Sequence, residues 1–216
     1  MSWRITPTQP IPAVIGEPFG GGYFAGYISH TADGNPTHAL IVAPRATGAT
    51  GTGYTLSTML AWKTANTTTV GTTSLFDGAA NTAAMVTAGI ADHPAANFCK
   101  NLSIGGFTDW YLPARYELDI AYFNLKPSTQ VNDVTAGSNI YSVPLRPLNY
   151  AQLFPLQTTL TAFNTTTEAF VADNHWSSSE QNPTNGGFFY FSNSGQVSGG
   201  VKVGSNRVRA FRRIAL

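Results

Sequence analysis

Residues 105–118 read Gly105-Gly106-Phe107-Thr108-Asp109-Trp110-Tyr111-Leu112-Pro113-Ala114-Arg115-Tyr116-Glu117-Leu118, which is a glycine turn, a short apolar run and the start of a helix. Pro113 suits the first helical position, because the N–H that proline lacks has no intrahelical partner there. Apolar side chains then recur at i, i+3 and i+4, which predicts one buried face formed by Leu118, Ala121 and Tyr122. Lys126-Pro127 ends the predicted helix.

Two further helical segments precede this stretch. Asp77 is placed to cap an alanine-rich helix that ends at Gly89. Pro94 opens another turn of helix, which continues through Cys99. The sequence therefore predicts two or three helices, all in the middle of the chain.

Short β-type runs lie on both sides of the helices. Residues 23–28 and 38–43 flank the turn signal Asp33-Gly34-Asn35-Pro36 and predict a hairpin. Further β-type runs follow near the C-terminal end, at 187–191, 200–203 and 207–212, with a turn at 192–195. Central helices with strands at both ends predict an α+β fold with an antiparallel sheet.

The 216 residues carry few charges. Charged side chains make up 11% of the chain, less than half of the roughly 25% in an average soluble domain. A net charge of +1 provides no field for nucleic acid or an anionic membrane, and 43% hydrophobic content excludes a disordered chain. The sequence has neither an apolar stretch of about 18 residues nor a signal-peptide pattern at its start. We expect synthesis in a cytoplasm, no membrane insertion and no nucleic-acid partner.

The sequence contains no strong catalytic or metal-binding pattern. Ser177-Ser178-Ser179 follows His175 but lacks the Gly-x-Ser-x-Gly turn that exposes a nucleophile. Glu117 and Asp119 point to different faces of their helix, so they cannot act together as an acid–base pair. The four histidines and the single cysteine, Cys99, show no metal-ligand spacing. We therefore predict no enzyme activity, no metal and no cofactor.

Basic residues gather near the C-terminal end of the sequence. Arg207-Val208-Arg209-Ala210-Phe211 alternates with period two, which is typical of a half-buried strand and not of a disordered nucleic-acid-binding arm. Arginines on such a strand can form bidentate pairs with carboxylates, for which the candidates are Asp109, Glu117 and Glu180.

Three ordered stretches resemble the signatures of one family: residues 105–118, His175-Trp176-Ser177-Ser178-Ser179-Glu180, and Arg207-Val208-Arg209-Ala210-Phe211-Arg212. They resemble the C-type-lectin-like module of the collagen-like-adhesin C-terminal family, which occurs in phage tail or fibre proteins and in bacterial surface proteins. That module is distantly similar to the formylglycine-generating-enzyme fold. The resemblance implies a C-type-lectin-like module over residues 76–216. We place a β-rich N-terminal segment, with an expected role in virion attachment, at residues 1–75.

The resemblance implies roles in holding the fold and no catalysis. It implies that the start of the helix is anchored by Asp109, Trp110, Pro113 and Glu117. It further implies that Trp176 and Glu180 line the centre, and that buried carboxylates pair with Arg207, Arg209 and Arg212. Sugar-binding relatives use calcium through Glu-Pro-Asn and Trp-Asn-Asp motifs. Residues 180–183 have similar letters in another order, and no Trp-Asn-Asp is present, so no calcium site is predicted.

These observations predict a non-enzymatic phage virion protein, as a tail-fibre, tail-tip or head-fibre component that binds a host receptor. Loops at 128–170 and 181–206 are the expected contact surface. The ligand-binding candidates are Asn185, Phe188, Tyr190 and Asn193. Phe188 and Tyr190 share one face of their strand, so both are equally compatible with a place in the core.

The alternative is a structural capsid-decoration or baseplate subunit that contacts other virion proteins without binding a receptor. The long β-rich N-terminal segment favours this second hypothesis. The expected partners are other virion proteins, a host surface glycan or protein, and further copies in a homo-oligomer. A glycan hydrolase is a third hypothesis, and it requires two inward-facing carboxylates at glycosidase separation among Asp109, Glu117 and Glu180.

Overall fold

The chain forms short strands and short helices, and the computed structural model describes residues 11–51, 58–164, 167–191, 195 and 197–216. Within these residues the strands are β1 Pro18–Phe19, β2 Gly22–Ile28, β3 His38–Val42, β4 Leu60–Ala61, β5 Ser142–Val143, β6 Asn174–Glu180, β7 Asn185–Tyr190, β8 Val197–Val201, β9 Ser205–Asn206 and β10 Phe211–Ala215. The helices are α1 Arg45–Gly48, α2 Gly78–Gly89, α3 Pro94–Lys100, α4 Arg115–Leu125 and α5 Thr161–Asn164, with a 3-10 turn at Ile90–Asp92.

The main sheet is antiparallel and curled, with the strand order β1-β2-β3-β10 and with β5 also paired to β2. The β2–β3 register places Phe24 opposite Ile41, which confirms the predicted hairpin. On its other edge β3 pairs with β10, where Ile41 lies opposite Arg212. The architecture is mixed α+β, as predicted. Strands from both predicted segments, 1–75 and 76–216, share this one sheet.

Two smaller antiparallel sheets complete the strand pairing. One has the order β6-β7-β8, and the other is formed by β4 and β9. Trp62 directly follows β4, Trp176 lies in β6, and both indoles are fully buried. The two tryptophans thus connect the small sheets through the core.

The first two long helices begin where the sequence predicts. The Asp77 carboxylate accepts a hydrogen bond from the backbone N–H of Ala80 at 2.8 Å and caps α2. Gly89 ends α2 with φ of 112°, a conformation that side chains disfavour. Five helices are present in the described residues where two or three were predicted. The difference comes from α1 and α5, because four-residue turns carry no periodic apolar pattern.

The third long helix, α4, begins at Arg115, so the prediction of Pro113 as its first residue was wrong. Ala114 is extended and serves as the N-cap, and its N–H donates to Oε2 of Glu117 at 2.7 Å. Pro113 therefore lies before the cap. The helix ends at Leu125, as predicted, and its predicted inner face is buried: Leu118, Ala121 and Tyr122.

The C-terminal basic stretch was predicted as a half-buried strand, and this prediction was wrong in two respects. The strand β10 begins only at Phe211. Residues 208–212 are buried throughout, because neighbours cover the stretch on both sides. Trp176 N–H donates to the carbonyl oxygen of Arg207 on one side, and Ala43 N–H donates to that of Ala210 on the other.

The helices of the described ranges are all short. None of them is long and apolar enough to cross a membrane.

Candidate functional site

Half of the exposed large apolar side chains in the described chain lie in residues 131–156, inside the predicted contact loop. This segment doubles back on itself. The N–H of Asn132 donates to the carbonyl oxygen of Gln152 at 2.8 Å, and that of Tyr150 to Ala136 at 2.7 Å. We call residues 131–156 the lobe.

Asp119 of α4 holds the lobe against that helix. Its buried carboxylate accepts hydrogen bonds from the Arg146 guanidinium, the Tyr150 hydroxyl and, at 2.7 Å, the Asn139 side-chain amide. Burial, followed by the nearby charge of Asp119, raises the pKa of Tyr150 well above its ordinary value. The Tyr150 hydroxyl therefore remains a proton donor. Three donors from the lobe on one carboxylate of α4 fix the lobe against the helix.

Asn132 and Lys126 hold the two ends of the lobe together. The Asn132 amide donates to the carbonyl oxygen of Pro155 at 3.0 Å, and its Oδ1 accepts from the Tyr122 hydroxyl at 2.8 Å. Nζ of Lys126 donates to the carbonyl oxygens of Gln130 and Pro155. Both ends of the lobe are thus bonded to α4 or to the residue that follows it.

Most of the outward side chains of the lobe are apolar, although Thr135, Asn149 and Gln152 are exposed as well. Leu148 is 79% exposed and Leu156 is 71% exposed. The Phe154 ring packs edge-on against Phe123, with centroids 5.4 Å apart. The complete set is Val131, Val134, Ile140, Leu145, Leu148, Leu153, Phe154 and Leu156. Such a concentration of exposed apolar groups is typical of an interaction site.

Two small cavities border the lobe. One has a volume of 90 Å³ and lies between Phe123 of α4 and residues 142–146. The other has a volume of 180 Å³ and is lined partly by Leu153 and Leu156. Both are smaller than the roughly 300–1,000 Å³ of small-molecule pockets. Their size suits single side chains of a protein partner.

A larger cavity of 510 Å³ lies between α2 and residues 109–111. Its walls include Ala79 and Ala83 of α2, and Lys100. The Trp110 indole is fully buried and the Asp109 carboxylate is paired with Arg212. The Trp110 ring therefore offers no exposed face for stacking, and the Asp109 carboxylate is already engaged by a guanidinium.

The four predicted ligand-binding residues have different environments. Asn185 starts β7, and its carbonyl oxygen accepts from the N–H of Gln181 at 3.1 Å. Phe188 is only 6% exposed and packs against Trp176, so its assignment as a stacking residue is corrected to a core residue. Tyr190 is half-buried, with its ring 5.0 Å from that of Phe188. Asn193 lies outside the described residues.

One predicted arginine–carboxylate pair forms as expected. Nε and Nη2 of Arg212 donate to the two carboxylate oxygens of Asp109 at 2.8 and 3.0 Å. The guanidinium also lies 3.8 Å from the centre of the Phe107 ring. The pair joins β10 to the turn that precedes α4.

The other two motif arginines pair with carboxylates that the sequence did not single out. Nε of Arg207 donates to Asp173 at 2.9 Å, and Nη2 of Arg209 donates to Glu168 at 3.0 Å. Arg209 is almost fully buried. Both partners come from the stretch just before β6, which no local pattern connects to the C-terminal end.

Glu117 and Glu180 were predicted to pair with arginine, and both predictions were wrong. Oε1 of Glu117 accepts from the Tyr111 hydroxyl at 2.7 Å, and burial raises the Glu117 pKa to about 7. Glu180 pairs with Nζ of Lys202 at 2.8 Å. Burial acts to raise the Glu180 pKa, but Lys202 and backbone and hydroxyl donors outweigh it and hold that pKa below its ordinary value. A buried tyrosine and a lysine take the places that arginine was expected to fill.

The reactive side chains considered from the sequence are engaged within the fold. Burial lowers the pKa of His175 to about 3, and its Nδ1 lies 3.1 Å from the carbonyl oxygen of Asp173. The Ser177 hydroxyl donates to the carbonyl oxygen of Gly187. Burial raises the pKa of the Cys99 thiol. Among the residues that the structure describes, no group of three or more His, Cys, Asp or Glu side chains could hold a metal ion.

The lobe lies within the loop predicted as a contact surface, residues 128–170, but the sequence did not single out the lobe itself. A signal was present, because four leucines fall within twelve residues of a proline-containing stretch, at Leu145, Leu148, Leu153 and Leu156. The anchor formed by Asp119 and Arg146 had no local signal, since the two residues are far apart in sequence.

The chain matches no protein-family model and no curated protein.

Proposed function

We propose that this chain is a non-enzymatic protein of a phage virion that acts by making contacts with other molecules. The observation that carries the proposal is the lobe, an exposed apolar surface fixed to α4 by the buried Asp119 carboxylate. A fixed apolar surface loses little conformational entropy on binding, which favours a contact role. The virion setting is supported by the resemblance of the three ordered motifs to lectin-like modules.

The apolar chemistry of the lobe favours a protein partner over a glycan. Sugar sites present polar side chains and exposed aromatic faces, whereas the exposed apolar set of the lobe is mainly leucine and valine and contains one aromatic ring, that of Phe154. We therefore assign the lobe to contacts within an assembly. The surface at Asn185 and Tyr190 stays the candidate for a host receptor.

The distribution of charge is consistent with such a role. In the described part of the chain six carboxylates pair with basic side chains, and the acidic partners are Asp77, Asp109, Asp119, Glu168, Asp173 and Glu180. These pairs use charge to hold the fold and leave a nearly neutral exterior.

A structural subunit without receptor binding is the second candidate. The specific observation that favours it is that the clearest interaction surface in the described residues is apolar. Exposed leucines such as Leu148 and Leu156 are what an assembly interface covers.

The test uses a phage whose genome encodes this chain. We expect an antibody raised against the purified chain to label intact particles, and the site of labelling should be a fibre, a tail tip or the shell. Particles that contain the whole set of virion proteins but bind no antibody, before or after mild disruption, would contradict the proposal.

Receptor binding and a purely structural role are separated by one matched pair of particle variants. Particles with Asn185→Ala and Tyr190→Ala should assemble normally and adsorb more slowly to host cells if this surface meets the receptor. Particles with Leu156→Glu should instead be defective in assembly. Normal adsorption of the first variant would favour the structural role.

A further inference from the structure

The lobe exposes enough apolar surface for one side of a protein interface. At roughly 100 Å² of apolar area for a fully exposed side chain, its eight apolar side chains present on the order of 500 Å². A standard interface takes about 800 Å² from each partner, of which roughly 60% is apolar. The exposed apolar area of the lobe is therefore comparable with the apolar share of one partner.

The lobe also carries almost no uncompensated charge. Its charged residues are Asp133 and Arg146 alone. Arg146 is paired with the buried Asp119. The neighbouring Lys126 is buried and directs its ammonium at backbone carbonyl oxygens. The lobe thus has neither the charge that would select an oppositely charged partner nor the charge that would repel a copy of itself.

In a two-fold symmetric interface the same surface of each copy faces the other, and groups near the axis lie close to their own counterparts. Such an arrangement suits neutral apolar groups and penalises clustered like charges. The cavity of 180 Å³ beside Leu153 and Leu156 is large enough to accept an apolar side chain from a facing molecule. The lobe therefore offers both protruding side chains and a recess to receive them.

We propose that the lobe binds the lobe of a second copy of this chain, forming a two-fold symmetric dimer. This inference rests on the contact role proposed above and names the partner. The lobe is anchored to α4 through Asp119 and Asn132, so association requires little ordering. An interface of this size with few polar contacts forms a dimer with a dissociation constant on the order of micromolar.

The test is sedimentation velocity of the purified full chain over a range of concentrations up to about 200 μM. The wild-type protein should shift from monomer to dimer with rising concentration. Leu156→Glu places a charge in the apolar surface of each copy and should weaken the dimer by at least about tenfold. Val70→Glu is the matched control, because Val70 is 86% exposed and lies outside the lobe.

The outcomes are distinct. A wild-type chain that stays monomeric over the whole range, or a Leu156→Glu variant that dimerises like Val70→Glu, overturns the inference. Circular dichroism verifies that each variant is folded, and Leu153→Glu replaces Leu156→Glu if the latter unfolds. A monomer found on virions would refute only the dimer, whereas a dimer absent from virions would refute only the proposed function.

Discussion

The indole nitrogens of Trp62 and Trp176 donate hydrogen bonds in opposite directions between the same two segments. Nε1 of Trp62 donates to the carbonyl oxygen of Ser177 at 2.8 Å, and Nε1 of Trp176 donates to that of Leu60 at 2.7 Å. Gly186 makes the packing possible, because a Cβ there would lie 2.7 Å from the Trp62 ring. These two bonds join β4 to β6, which are far apart in sequence.

Trp62→Phe should therefore lower the free energy of unfolding by about 2–4 kcal/mol, from the lost packing and the unsatisfied Ser177 carbonyl. Trp176→Phe should cost a similar amount, because the geometry is reciprocal. Urea denaturation measures both values. Tyr190→Phe is the control and should change the free energy by less than about 0.5 kcal/mol, since that side chain is half-exposed. If Trp62→Phe and Trp176→Phe lowered the free energy of unfolding no more than Tyr190→Phe does, the indole hydrogen bonds would contribute nothing to stability.

Lys202 and Glu180 form a buried ion pair whose partners should depend strongly on each other. The Lys202 ammonium also lies 4.8 Å from the Trp62 ring. Lys202→Met leaves the Glu180 carboxylate buried without its cation and should cost about 3–5 kcal/mol. The double variant with Glu180→Gln should cost at least about 1 kcal/mol less than the two single costs added together. Additive costs in this double-mutant cycle would rule out direct coupling.

Glu117 should make the fold less stable as the pH rises from about 4.5 through 7. Burial raises its pKa from the ordinary 4.5 to about 7, so the folded chain retains a proton that the unfolded chain releases in this range. This contribution is complete below pH 4.5 and is lost as the pH passes the folded pKa. The shift corresponds to about 3 kcal/mol.

Glu117→Gln removes that titration. The difference in unfolding free energy, wild type minus variant, should fall by about 3 kcal/mol between pH 4.5 and 8 and then stay constant. His175 acts with the opposite sign, because burial lowers its pKa to about 3 and its contribution is lost as the pH falls below 6.5. Its effect is common to both proteins and cancels in the difference. A difference that is flat across this range would contradict the assignment to Glu117.

Asp119→Asn should loosen the lobe more than the rest of the molecule. The change leaves the Arg146 guanidinium without its carboxylate and should cost about 3 kcal/mol. Hydrogen exchange should accelerate first at the backbone amides of residues 139–150. Asp133→Asn is the matched control, because its carboxylate contacts only Thr135 at the surface. Uniform acceleration over the whole chain would show that Asp119 has no specific role in the lobe.

Elements governed by neighbouring residues were predictable from the sequence. The β2–β3 hairpin follows from the turn at Asp33-Gly34, and α2 follows from its cap at Asp77 and its end at Gly89. The start of α4 was misplaced because Glu117 bonds the N–H of Ala114, a local contact that the proline signal concealed. Local signals therefore locate an element more reliably than they fix its first residue.

Contacts between distant segments were predictable only in part. The pair of Arg212 with Asp109 was predicted. Arg209 instead pairs with Glu168, and Glu117 accepts a hydrogen bond from the Tyr111 hydroxyl and forms no ion pair. Alternation along a strand shows that arginines need partners, but it does not show which carboxylates the fold brings to them. The anchor of the lobe was missed for the same reason, since it joins Asp119 of α4 to Arg146 in a loop.

The pairing of β3 with β10 has a consequence for synthesis of the protein. The strands His38–Val42 and Phe211–Ala215 are neighbours in the sheet but are separated by most of the chain. A ribosome that adds about 5–20 residues per second needs on the order of ten to thirty seconds to make the intervening residues. During that time β3 has one edge without its partner strand. Early translation arrest would leave this edge open to other nascent chains, so chaperone occupancy should be highest until residue 215 has emerged.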